Sequence, residues 1–75
     1  MTTIPTMVAV QSSNIESIGY HVNELHVRFK TGAHYVYEGT NDELHRAFLA
    51  SDSKGKFLGS HLKGKFVTRK LMAAE

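Results

Sequence analysis

The sequence predicts an α+β domain: a small antiparallel meander of roughly three to four strands, followed by two short helices packed on one of its faces. Three observations predict it. First, Ile18, Tyr20 and Val22, then Leu25, Val27 and Phe29, then Tyr35 and Tyr37 alternate with their neighbours at the two-residue period of half-buried strands. Second, turn residues interrupt that alternation at Asn23 and Gly32. Third, the period changes after Gly39, where Leu44, Ala47 and Phe48, then Phe57, Leu58, His61 and Leu62, mark the faces of helices.

Taken in order, residues 1–6 carry no periodic pattern and are expected to fray, as is the tail at residues 71–75. Residues 7–10 read as a short strand, and Ser12, Ser13 and Asn14 as a turn. A two-residue loop at Asn23-Glu24 pairs Val22 with Leu25, Tyr20 with Val27 and Ile18 with Phe29. The next turn admits two registers. A three-residue loop, Lys30-Thr31-Gly32, pairs Leu25 with Tyr37 and Val27 with Tyr35, so both tyrosines join the core. A two-residue loop, Thr31-Gly32, moves them beside His26, Arg28 and Lys30 as an aromatic-basic platform. Glycine in the third loop position is the commoner chemistry and gives a single apolar face.

Thr40 and Glu43 have the spacing of a capping box for a first helix of about ten residues. Ser53 opens a second helix over residues 54–62, which carries Gly55 and Gly59 four apart. Phe66-Val67 reads as an edge strand.

Composition narrows the function. Seventy-five residues with 41% hydrophobic content and one proline make a single small domain, residues 1–75. Zero cysteines exclude disulfides and thiolate metal sites and suit a reducing cytoplasm. No apolar run is long enough for a membrane span, so no membrane partner is expected. Net charge is only +2, but residues 53–75 hold six Lys and Arg against one acidic residue, while residues 1–52 hold three against six. That asymmetry suggests a basic face for phosphate or for an acidic protein partner.

Five histidines raise a metal question, because the Asn23-Glu24 register sets His21 across from His26. No third ligand accompanies them, and two solvated histidines are the expected outcome, with no metal and no cofactor. His61 is expected half-buried on its apolar helix face, and His45 exposed. No nucleophile motif or paired carboxylate motif is present, so no enzyme activity is expected. The phosphate chemistry has more support. Ser53-Lys54-Gly55-Lys56 places a hydroxyl and two ammonium groups at a predicted helix start, and Lys63-Gly64-Lys65 lies roughly 16 Å along the same axis.

The ordered series Ser13-Asn14-Ile15, Ser17-Ile18-Gly19-Tyr20, Leu25-x-Val27-x-Phe29, Gly32, Tyr35-x-Tyr37 and Ser53-Lys54-Gly55-Lys56-Phe57 resembles the KTSC domain over about residues 10–69. That family is named for its occurrence at the C-terminus of some lysyl-tRNA synthetases, and it also occurs as stand-alone bacterial or phage proteins. The resemblance makes Tyr35 and Tyr37 its Y-x-Y positions and implies RNA as a partner. It departs from the family where Gly39-Thr40 stands in place of a common Val-Pro, and its hairpin at Asn23-Glu24 is shorter. The expectation is a non-catalytic RNA-binding module whose Lys54, Lys56, Lys63, Lys65 and Arg69 contact phosphates, with Arg28 as an outlier on the sheet. The alternative is a protein-interaction adaptor that docks on an acidic partner.

Overall fold

The computed structural model describes residues 5–72. Five strands form one antiparallel sheet in chain order: β1 (Val8–Ala9), β2 (Ile15–His21), β3 (Glu24–Phe29), β4 (His34–Glu38) and β5 (Val67–Met72). Between β4 and β5 lie α1 (Asp42–Ala50) and α2 (Lys54–Phe57), and α2 runs on into a π-helical turn at Leu58–Leu62. The sheet is wider than the expected three to four strands. Pairing with β4 extends the last strand through Leu71 and Met72, which the sequence reading assigned to a frayed tail. The expectation of fraying at residues 1–4 and 73–75 lies outside the described residues.

The β3–β4 turn takes the three-residue form. Gly32 adopts φ +98°, its N–H donates to the Phe29 carbonyl at 3.0 Å, and the Phe29 N–H donates to the Ala33 carbonyl at 2.9 Å. Leu25 therefore opposes Tyr37 and Val27 opposes Tyr35.

The β2–β3 turn differs from expectation. Its loop is Val22-Asn23, with φ of 39° and 64°, so Tyr20 opposes Leu25 and Ile18 opposes Val27. Val22 is expelled to solvent, and a bulge between Ile15 and Ser17 restores Ile15 opposite Phe29. The expected and observed registers differ by two residues, which leaves every side chain on the same face; the apolar pattern alone does not separate them. Tertiary bonds do. The Asn23 carbonyl accepts from the Gly39 and Thr40 N–H groups, and its side chain donates to the Thr40 carbonyl at 2.8 Å. Thr40 is accordingly buried beside this turn, and the cap of α1 is Asn41, whose Oδ1 accepts from the Leu44 N–H at 2.8 Å.

Both helical segments cover one face of the sheet. Phe48, Leu58 and Leu62 close over Ile15, Ile18, Leu25, Val27 and Tyr37, and Phe57 stacks on Phe48 with ring centroids 5.1 Å apart. Ala47, expected in this stripe, faces solvent. His45 and His61 exchange their expected places: His45 is half-buried and stacked on Tyr20, while His61 is exposed with its ring 4.4 Å from Phe57.

The opposite face is covered too, at its centre. A Cβ on Gly19 would lie 2.6 Å from Met7 Sδ, and 3.0 Å from both Pro5 Cγ and the Thr6 carbonyl oxygen. Residues 5–7, which lead into β1, thus pack closely over Gly19, and a Cβ there would make them shift. Gly19 opposes His26, which is fully buried, and His26 Nδ1 lies 2.9 Å from His34 Nε2. The Glu24 carboxylate stands 3.8 Å from His26 Nε2, which has no hydrogen-bond partner among the described residues. The tautomer that suits this carboxylate keeps a proton on Nε2, so His34 Nε2–H donates to His26 Nδ1.

Two predictions follow from this double burial. Gly19→Ala forces residues 5–7 off the sheet and lowers unfolding free energy by about 1–3 kcal/mol, readable by urea denaturation. The second concerns acid. Burial holds both imidazoles below their ordinary pKa of 6.5, and so do the neighbouring His34 for His26 and Arg28 for His34, against the opposing pull of Glu24 on His26. The unfolded chain then binds protons that the native state refuses. Stability is full above about pH 6.5 and falls below it, by up to about 1.4 kcal/mol per pH unit for each imidazole. Melting temperatures between pH 8 and pH 5 check this, and the fall should shrink in His26→Leu/His34→Leu.

Candidate nucleic-acid interface

A groove of about 640 Å³ opens where α2 and the π turn lean against the β3–β4 hairpin. Phe29, Tyr35 and Tyr37 reach it from the sheet; Gly55, Gly59 and Lys63 reach it from the helical side. Among the described residues, none that lines it is acidic. The four-residue spacing of Gly55 and Gly59 puts them in one line along the helical axis, and Lys63 follows just past its end. The π turn, closed by the Lys63 N–H donating to the Leu58 carbonyl at 2.8 Å, buries Leu58 and Leu62 while leaving that line outward.

The β3–β4 register decides what the tyrosines do. Both lie on the apolar face, but not equally deep. Tyr37 is buried, and that burial, with Tyr35 beside it, pushes its phenol above the ordinary range. Tyr35 is half-buried, packs edge-on against Phe29 at 5.6 Å, and carries Lys70 Nζ 5.8 Å above its ring. The core register and an accessible aromatic ring therefore coexist at this position.

Of the expected phosphate contacts, Lys56, Lys63 and Lys65 are exposed. Lys54 is half-buried and donates to the Ser51 carbonyl at 2.6 Å. The Ser53 hydroxyl accepts from the Lys56 N–H, and Asp52 shares the neighbouring cleft of about 420 Å³ with Lys54 and Lys56. The expected convergence of hydroxyl and ammonium groups on one anion is thus largely consumed internally. Lys63 and Lys65 also leave the helical axis, because the helix ends at Leu62.

Arg69 and Arg28 stand on the other face. In β5 the two-residue alternation turns Arg69 toward Val36, where it bridges Glu24 at 3.0 Å and Glu38 at 3.1 Å. Arg28 pairs with Glu16 at 3.4 Å. Lys70, next to Arg69 in sequence, falls on the groove side and was missed because the last strand was read too short. Alternation carried past Val67 would have found it. The histidine pair proposed across the first hairpin is not formed: Gly19, not His21, opposes His26. Among the described residues, no group of three or more His, Cys, Asp or Glu is placed to hold a metal ion. Nor is any helix long and apolar enough to cross a membrane.

Comparisons agree with this architecture. The family model of the KTSC domain matches residues 11–66. A crystal structure of a KTSC domain protein from Yersinia pestis superposes with a TM-score of 0.84 at 38% identity, covering 89% of this chain and 97% of that one. A protein of Stutzerimonas stutzeri described as uncharacterised is 40% identical over 58 residues, 75% of this chain and 82% of the relative. A protein of Tsukamurella paurometabola is 39% identical over 62 residues, 80% of this chain and 92% of its own length. With the family match spanning residues 11–66 and the fold shared over 89% of the chain, this protein belongs to the KTSC domain family.

Proposed function

We propose that the chain is a non-catalytic nucleic-acid-binding module, for RNA in the first place, acting in a reducing cytoplasm. The observation that supports this reading most is the groove between α2 and the β3–β4 hairpin. It sets an accessible aromatic ring, Tyr35, near Lys63, with Lys70 over that ring and no acidic residue among the described residues of its lining. Aromatic rings among cations are the elements with which proteins hold flexible nucleic-acid strands. Lys56 and Lys65 extend the cationic surface beyond the groove, with Lys54 as a weaker member because its ammonium is already engaged. The association of this family with lysyl-tRNA synthetases, implied by the sequence resemblance, is compatible with RNA but carries no weight beside the groove.

A protein-interaction adaptor is the second reading, and one observation favours it. β5 is a six-residue strand at the sheet edge, paired with β4 on one side among the described residues. Such an edge accepts a partner strand. RNA competition separates the two readings, since an edge-docked partner stays bound.

The direct test is an RNA titration at two salt concentrations. Lys63→Glu/Lys65→Glu should weaken binding at least tenfold and flatten the salt dependence by roughly one log unit per decade of salt. Lys54→Glu/Lys56→Glu should do less, and Arg69→Gln should leave affinity unchanged. Absence of salt-sensitive binding by the wild type would remove the reading.

A further inference from the structure

We infer that the groove holds an unstacked base of a single-stranded RNA, laid against Tyr35 and the backbone of the α2–π segment, so that the protein prefers single strands to duplex. This inference rests on the nucleic-acid reading and says which nucleic acid, and how.

Charge and shape together choose the occupant. The groove's volume of about 640 Å³ lies within the range of small-molecule sites, roughly 300–1,000 Å³. Three aromatic rings line it, and among the described residues its only charged lining residue is Lys63. Lys70 stands over Tyr35 from the neighbouring strand. That combination fits a flat ring attached to an anion. A purely apolar ligand would leave the lysines without purpose, and a duplex cannot offer a base face to a recessed ring.

The helical wall points the same way. Gly55 and Gly59 both line the groove, and a Cβ on either would meet nothing within 4 Å. Neither has a positive φ. The fold therefore has no steric or conformational need for glycine at these positions, where alanine would make a better helix. What glycine does provide is a bare backbone along the groove, open to the close approach of a flat ligand. Tyr35 forms the opposite wall, held edge-on by Phe29, so its orientation is set before a ligand arrives.

The experiment compares a fluorescently labelled single-stranded RNA of about 12 nucleotides with the matching duplex. The proteins are the wild type, Tyr35→Leu, Tyr35→Phe and Gly55→Ala/Gly59→Ala, each with its melting temperature. The expected result is at least tenfold tighter binding of the single strand. Tyr35→Leu should lose about tenfold for the single strand and little for the duplex, while Tyr35→Phe retains binding. Gly55→Ala/Gly59→Ala should melt several degrees higher yet bind the single strand several-fold more weakly. Amide resonances of Gly55 and Gly59 in the wild type should shift on RNA addition, a readout that needs no variant. Equal affinity for single strand and duplex, with both sensitive to Lys63→Glu/Lys65→Glu, would overturn this inference and leave the nucleic-acid reading standing. No binding to either RNA would overturn both.

Discussion

The packing of β3 between two layers is the constraint on which the remaining structure depends. Leu25 and Val27 are buried beneath the helices, and between them His26 is buried on the far side of the same strand. A strand buried on both faces cannot slip by one residue without putting an imidazole into the apolar core and a leucine among charged groups. That double burial sets the register of β4, which in turn places Tyr37 deep and Tyr35 at the groove. It also bears on Gly19, opposite His26: residues 5–7 pack over it so closely that a Cβ would make them shift.

The two faces divide the charge between them. On the second face, Glu24 and Glu38 stand opposite each other across β3 and β4, an unfavourable pairing that Arg69 relieves by bridging both. Cations there are matched by carboxylates. On the helical side, Lys56, Lys63 and Lys65 are exposed and the groove lining contains no acid among the described residues. The helical side also carries Asp42, Glu43 and Asp52, so the cationic excess there is local to the groove and the turn after it.

Much of the fold was legible in the residues. Alternation located the strands, Gly32 identified the three-residue turn, and the change of period after Gly39 located the helices. The β2–β3 register was not legible, since a shift of two residues preserves every facing. It took the bonds from Asn23 to Gly39 and Thr40, which join residues far apart in sequence, to choose between them. The same contacts moved the helix cap from Thr40 to Asn41. β5 was read short because its apolar residues are sparse; pairing with β4 makes it a strand. Around the candidate site, Lys56, Lys63 and Lys65 are exposed as their sequence positions suggest, whereas strand pairing alone puts Lys70 beside Tyr35 and ties Arg69 to Glu24 and Glu38 on the opposite face.

The sequence by itself determined the class of the fold, the face on which the helices pack and the excess of cations after residue 52. These follow from local period and composition, and neither needs to know what packs against what. Tertiary structure alone decided that His26 is buried, that residues 5–7 pack over Gly19, and that Arg69 and Lys70 belong to different surfaces. The reason is physical. A polar residue on a strand faces water only if nothing covers it, and what packs on the second face, His34 against His26 and residues 5–7 over Gly19, comes from other strands and segments that no local pattern announces.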